Sequence, residues 1–143
     1  PAQSGSYTMY LDDGVSRSSA PAGDDPAAKG EYRETHVSHG WTGNKTRWIT
    51  ISRGHDGYTP PEPYVFVGVL HDPGETEGLN GPLQNVSVNA TAVDLLSGGS
   101  PKDRADRLAE SATAAWYHNE QINISFLKIF DDRANITVEL AYT

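Results

Sequence analysis

The groups best able to do chemistry in this chain are three carboxylate doublets, Asp12-Asp13, Asp24-Asp25 and Asp131-Asp132. Acid–base catalysis needs two carboxyls converging on one bond. Adjacent residues on a strand point to opposite faces, so a doublet makes a poor catalytic pair. In a turn it could contribute Ca²⁺ ligands, but the characteristic spaced calcium loop is missing. The doublets therefore read as solvated turn acids. His36 and His39, with His55 or His71, could surround a metal, yet no further ligand motif accompanies them and they read as loop histidines. The absence of Cys rules out thiolate metal sites and disulfides. No Gly-x-Ser-x-Gly elbow and no phosphate-binding glycine loop is present. The expectation is a protein without catalytic residues, metal or cofactor.

Five of the seven asparagines stand in N-x-S/T sequons: Asn44, Asn85, Asn89, Asn123 and Asn135. Taken chemically, these are acceptors for glycans on an extracellular surface. Strand alternation offers a competing origin, because residues i and i+2 share one wet face. Asn85, Asn89, Asn123 and Asn135 all fall in predicted strands, which leaves Asn44, in a Gly-flanked loop, as the best acceptor. The seven Tyr and three Trp could offer stacking faces to sugars. Trp41 and Tyr58, next to glycine in predicted loops, are the candidates to face a ligand. Trp48, Tyr64 and Tyr142 read as core.

These residues need elements to hold them, and the elements read as strands. From Asn135 to Thr143, Ile136, Val138, Leu140 and Tyr142 alternate with polar residues, the period of a half-buried strand. Residues 85–94 and 122–130 repeat that pattern, 6–11 and 48–52 match it more briefly, and 64–70 is an almost unbroken apolar run suited to a central strand. His55-Asp56-Gly57 reads as a turn, and the Pro-rich run 59–63 belongs at an edge or corner. One helix is expected from Ser100 to about Trp116. Ser100 caps it, Pro101 opens it and Asp103 completes a capping box. The fold class is all-β, an antiparallel β-sandwich of about six strands, in a single domain over 1–143 with a helical insertion at about 97–118.

A formal charge of −8 with scattered Lys and Arg excludes nucleic acid as a partner. No apolar run reaches the roughly 20 residues that span a bilayer, so membrane insertion is not expected. The chain opens on Pro1 without a leader-like segment, as a mature product or excised domain would.

Several segments in order resemble the H-type lectin domain of snail agglutinins and discoidins. Gln3-Ser4-Gly5 is similar to that family's opening, and Asp12-Asp13 follows as an acidic turn. Ile49-Thr50-Ile51, Pro60-Pro61 and Tyr64 to Val67 match its strand, corner and apolar strand. Gln84 to Val88 and the closing run from Phe126 through Phe130-Asp131-Asp132 to Tyr142 complete the likeness. The resemblance implies galactose- or GalNAc-type glycans bound without metal at the boundaries of a homo-oligomer, with a trimer favoured. It places the carbohydrate contacts at Asp12, Asp13, Ser87, Phe130, Asp131 and Asp132. The pattern departs where Ser87 replaces an Arg fork, Phe130 a Trp and Asp131 a His. The expected role is a non-enzymatic carbohydrate-binding or adhesion domain displayed outside a cell or on a particle. The alternative is a structural subunit of an extracellular filament, fibre or virion surface whose sugar site is vestigial.

Overall fold

The computed structural model describes residues 4–43, 45–71 and 83–143. Its strands are β1 (Gly5–Leu11), β2 (Arg33–Thr42), β3 (Thr46–Asp56), β4 (Tyr64–Leu70) and β5 (Leu83–Val88), then β6 (Thr91–Ala92), β7 (Asp94–Leu95), β8 (Ala115–Asn119), β9 (Ile124–Phe130) and β10 (Asn135–Tyr142). The helix α1 (Pro101–Glu110) lies between β7 and β8. One sheet has the order β1-β2-β3-β10-β5-β6 and the other β4-β9-β8-β7. They form an all-β sandwich with one inserted helix. Every pair is antiparallel except β7–β8, because the chain leaves β7, crosses over through α1 and returns in the same direction.

Inward-facing Ile49, Ile51, Val86, Ile136, Val138 and Leu140 of the larger sheet pack against Val69, Trp116, Leu127 and Ile129 of the smaller one. The alternation of β10 therefore means what it suggests: Ile136, Val138, Leu140 and Tyr142 are buried while Asn135, Thr137 and Glu139 are exposed. A smaller cluster of Leu108, Ala115 and Tyr117 seats α1 on the outer side of the second sheet. Ser100 Oγ accepts from Asp103 N at 3.2 Å and Asp103 Oδ2 accepts from Ser100 N at 2.9 Å, forming the expected capping box.

Five expectations change. The helix stops at Glu110, and Trp116 belongs to β8. Ala109, Ala112 and Trp116 continue a helical spacing from Leu108, but buried Lys128 donates to the carbonyls of Ala109 and Ser111, both at 2.7 Å, and ends the helix there. Residues 85–94 are not one strand. Asn89 (φ 49°) and Ala90 (φ 64°) both take left-handed backbone and fold the segment into a hairpin. β4 is an edge strand, with Phe66 52% and Leu70 57% exposed. His55 and Asp56 lie in β3 rather than in a turn. Finally, Trp48 lies outside the core. It pairs with Gly40 and Glu139, on the face opposite Ile49 and Ile51.

β2 escaped the sequence reading because its inward face is largely polar: Arg33 and Thr35 are buried along with Val37. Arg33 donates from Nε to Asp56 Oδ1 (2.9 Å) and from Nη1 to Asp131 Oδ2 (2.6 Å). Arg53 donates to Asp56 Oδ2 and to Asp131 Oδ1, each at 2.9 Å. The result is a closed ring of two arginines and two aspartates joining β2, β3 and the β9–β10 corner. Burial would raise the Asp56 carboxyl, but the charges of Arg33 and Arg53 outweigh it and hold it below the usual range. Arg53 and Asp56 are three apart and would normally face opposite ways. A bulge resolves this: Glu34 pairs with His55 and Thr35 with Arg53, so Gly54 is left over and the alternation resets. A Cβ at Gly54 would run into His36 and Glu34.

A second polar cluster lies inside the sandwich. Ser125, fully buried, sits 2.8 Å from His71 Nε2 and 3.1 Å from His118 Nδ1, and Tyr142 Oη is 3.2 Å from His71 Nδ1. Burial, reinforced by His118 and Arg47, lowers the His71 pKa to about 4.

Two outcomes test these clusters. Asp131→Ala strands two arginines and is expected to lower the unfolding free energy by about 3 kcal/mol in urea denaturation. A loss under about 0.5 kcal/mol, the range of an ordinary surface change, would contradict the clamp. As for pH, the unfolded chain protonates His71 near 6.5 while the folded chain resists until about 4. Stability is therefore full above 6.5 and falls as pH drops toward 4, by on the order of 3 kcal/mol at most. A urea midpoint unchanged between pH 7 and 4.5 would refute this.

Candidate functional site

The β5–β6 hairpin, the β9–β10 corner and the segment after α1 meet around an open cleft of about 380 Å³. Asn89 and residues 91–94 line one side, Thr113 and Ala114 another, and Phe130, Asp132 and Arg133 the third. Each wall is fixed by contacts behind it. Asn89 N donates to Thr137 O (2.8 Å) and Asn89 Oδ1 accepts from Thr137 N (2.9 Å), so a turn residue is stitched to β10. That bidentate hold keeps Ala90 in a backbone region that costs an alanine energy. Lys128 fixes the second wall through the carbonyl of Ser111, with its ammonium 4.3 Å from the Tyr64 ring centre and 5.8 Å from that of Phe130. Tyr64 supports Phe130 edge-on at 6.1 Å.

The Asp131-Asp132 doublet divides in the corner between β9 and β10. Asp131 N donates to Pro63 O (2.8 Å) and its carboxylate turns into the arginine ring. Asp132 turns out to the cleft and accepts from Arg133 Nε at 3.1 Å. That bond, the largest influence on it, holds the Asp132 carboxyl below the usual range. The cleft thus offers an aromatic face, an ionised carboxylate beside a guanidinium, and amide and hydroxyl groups. It is suited to a neutral polyhydroxylated ligand that stacks and hydrogen-bonds.

The six contacts suggested by resemblance do not come together in one chain. Phe130 and Asp132 share the cleft. Asp131 has both carboxylate oxygens engaged by arginines. Asp12 and Asp13 shape the turn after β1: Asp12 accepts from Gly14 N (2.7 Å), and Asp13 accepts from Ser16 N (3.0 Å) and Ser19 Oγ (2.8 Å). Those bonds hold the Asp13 carboxyl well below its ordinary range. Ser87 lies on β5 opposite Glu139. β1 and β5 are separated by β2, β3 and β10, four ladder steps or about 19 Å.

Of the sequons, Asn44 lies outside the described residues. Asn85 and Asn135 are exposed on strands, whereas Asn89 and Asn123 sit in turns at positive φ. Asn123 spends its amide nitrogen on His71 O, and Asn89 its amide oxygen on Thr137. Trp41 packs beside Tyr142 at 5.4 Å under the Arg47 guanidinium, and so is not free to face a ligand. Tyr58 is half-buried. His36 and His39 lie in β2 on opposite faces, and His36 bonds Thr8 Oγ1 (3.0 Å) and Glu34 Oε1 (3.1 Å). Among the described residues no group of three or more His, Asp or Glu is placed to hold a metal. The sequence offers no sign of Arg133 or Thr113 as cleft residues, and it marks Asn89 only as a sequon. Asn-Ala is not a usual hairpin pair, and Val86, Val88, Ala90 and Ala92 imitate an uninterrupted strand.

No family model and no curated protein matches the chain. Solved structures do. A GH31 dextranase from Flavobacterium johnsoniae matches in a complex with glucose and, as a mutant, in a complex with isomaltotriose. In both, the TM-score is 0.69 and identity 19% over 98% of this chain and 15% of that one. The cycloalternan-forming enzyme from Listeria monocytogenes, in complex with a pentasaccharide substrate, matches with a TM-score of 0.53 and 13% identity over 96% of this chain and 10% of that one. Both are carbohydrate-active enzymes and neither is an H-type lectin. At these identities the likeness establishes a shared sandwich, one that occupies a small part of each longer neighbour.

Ala90→Gly tests the strained wall. Removing the Cβ at φ 64° is expected to raise the unfolding free energy by up to about 1 kcal/mol. A glycine variant less stable than the parent would show that Ala90 is not strained.

Proposed function

We propose that this domain is a non-catalytic carbohydrate-binding module that holds a glucose-type glycan in the cleft beside Phe130. The observation that carries the reading is the meeting of the Phe130 ring with the Asp132–Arg133 pair in an open, polar cleft. A pyranose offers an apolar ring face and a rim of hydroxyls, and this cleft answers both. The glucose and isomaltotriose of the dextranase complexes favour a glucan over the galactose-type sugar suggested by the H-type lectin resemblance. Glycoside hydrolysis needs a carboxylic acid kept neutral to protonate the leaving oxygen. Asp132, with its pKa lowered, supports binding instead. Phe130 and Asp132 come from one chain, so the reading needs no subunit boundary and no trimer. Display outside the cell belongs to the same proposal, because a polymeric glucan is met there, and the exposed Asn85 and Asn135 sequons suit such a surface.

The test is calorimetric titration with isomaltotriose and, in parallel, galactose. Phe130→Ala is expected to weaken isomaltotriose binding about tenfold, or ~1.4 kcal/mol, while thermal unfolding stays cooperative. Asp132→Asn is expected to weaken it several-fold. Preference for galactose would restore the lectin reading. No binding to either sugar would favour the structural-subunit role.

A further inference from the structure

On the solvent side of the larger sheet a single cross-strand row runs Gly40, Trp48, Glu139, Ser87, Ala92 across β2, β3, β10, β5 and β6. The helix packs on β8 and β9 of the other sheet and leaves this side uncovered by it. Here Trp48 is out of place as a structural residue, since its strand neighbours on that side are Thr46, Thr50 and Ser52. Gly40 explains its posture. A Cβ on Gly40 would meet Trp48 Cζ2 at 2.5 Å, Cε2 at 2.9 Å and Cη2 at 3.2 Å, so the benzo ring lies flat across the glycine. With one ring face against Gly40, the other is directed away from the sheet. Directly across the ladder, Glu139 is exposed and forms no ion pair among the described residues, and Ser87 stands one strand further on.

We propose that Trp48, Glu139 and Ser87 form a second, distal subsite that takes another sugar ring of the glucan held in the cleft. The row ends at Ala92, which also lines the cleft. Three ladder steps separate Trp48 from that rim, about 14 Å, a gap one extended chain bridges and a monosaccharide does not. The indole provides the stacking face. The Glu139 carboxylate and Ser87 hydroxyl provide hydrogen bonds at its edge. Two weak subsites on one polymer reinforce each other, because occupation of the first raises the effective concentration at the second. The domain accordingly selects long chains over short ones. This inference rests on the cleft reading above and adds chain-length selectivity to it.

The experiment compares isomaltotriose with polymeric dextran on the intact domain, by calorimetry and by tryptophan fluorescence. Parent protein is expected to bind dextran at least tenfold more tightly per chain than isomaltotriose. Trp48→Phe and Trp48→Ala should lose most of that advantage and the dextran-induced fluorescence change, while isomaltotriose affinity stays put. Gly40→Ala, which must lift the indole, should do the same with Trp48 present. Glu139→Gln, a surface change that leaves the fold intact, should lower dextran affinity about threefold. Phe130→Ala should weaken both ligands. Dextran binding unaltered by all four changes at residues 40, 48 and 139, with Phe130→Ala still weakening both ligands, would overturn the distal subsite and leave the cleft standing. Failure of the parent to bind either glucan would overturn both.

Discussion

A ring of four charges ties this sandwich together at the end where its apolar core gives out. Arg33 and Arg53 each bond both Asp56 and Asp131, so every guanidinium has two carboxylates and every carboxylate two guanidiniums. Two positive and two negative groups cancel locally, which lets Arg33 be 5% exposed without an unpaired charge. Asp131 is the one member from the second sheet's connection to β10, so the ring works across the layers. Through it, the position of the β9–β10 corner depends on β2 and β3 rather than on local turn preference. The bulge at Gly54 is the price of closing the ring.

The remaining wall of the cleft depends on a comparable device of different chemistry. Lys128 is 3% exposed with its ammonium between two helix-end carbonyls and above the Tyr64 ring. The negative end of α1 supplies what a carboxylate would otherwise have to supply. One buried cation thus stops the helix, anchors its end on the sheet and stands behind Phe130. Electrostatics, in both places, sets geometry that hydrophobic packing alone would leave loose.

Much of this was legible in the sequence where burial is one-sided. β10 occupies the segment its alternation indicates, and the capping box fixes where α1 starts. The apolar run of β4 marks its bounds but not its place at the edge. Legibility failed where polar groups do the inward work. β2 hides because Arg33 and Thr35 face the interior, and the long-range partner Asp131 cannot be inferred from local periodicity. β8 hides because alanines and Trp116 fit helical spacing until Lys128, distant in sequence, intervenes. The cleft was half visible. Phe130 and Asp132 were singled out, but through a family likeness that grouped them with Asp12, Asp13 and Ser87, which the strand order holds apart. Only pairing register shows that Asn89 and Arg133 belong beside them.

The division of labour between Asp131 and Asp132 bears on how this corner can change over time. Both acids lie in the corner between β9 and β10, where the bond from Asp131 N to Pro63 O and the pairing with Arg33 and Arg53 decide which carboxylate turns inward. A residue inserted between Phe130 and Asp131 would carry Asp131 away from that anchor and from both arginines, and deleting Asp131 would leave the clamp one carboxylate short. Point substitutions at Asp132 or Arg133 leave that anchor untouched. The corner therefore tolerates a change of composition on its outward side more readily than a change of length.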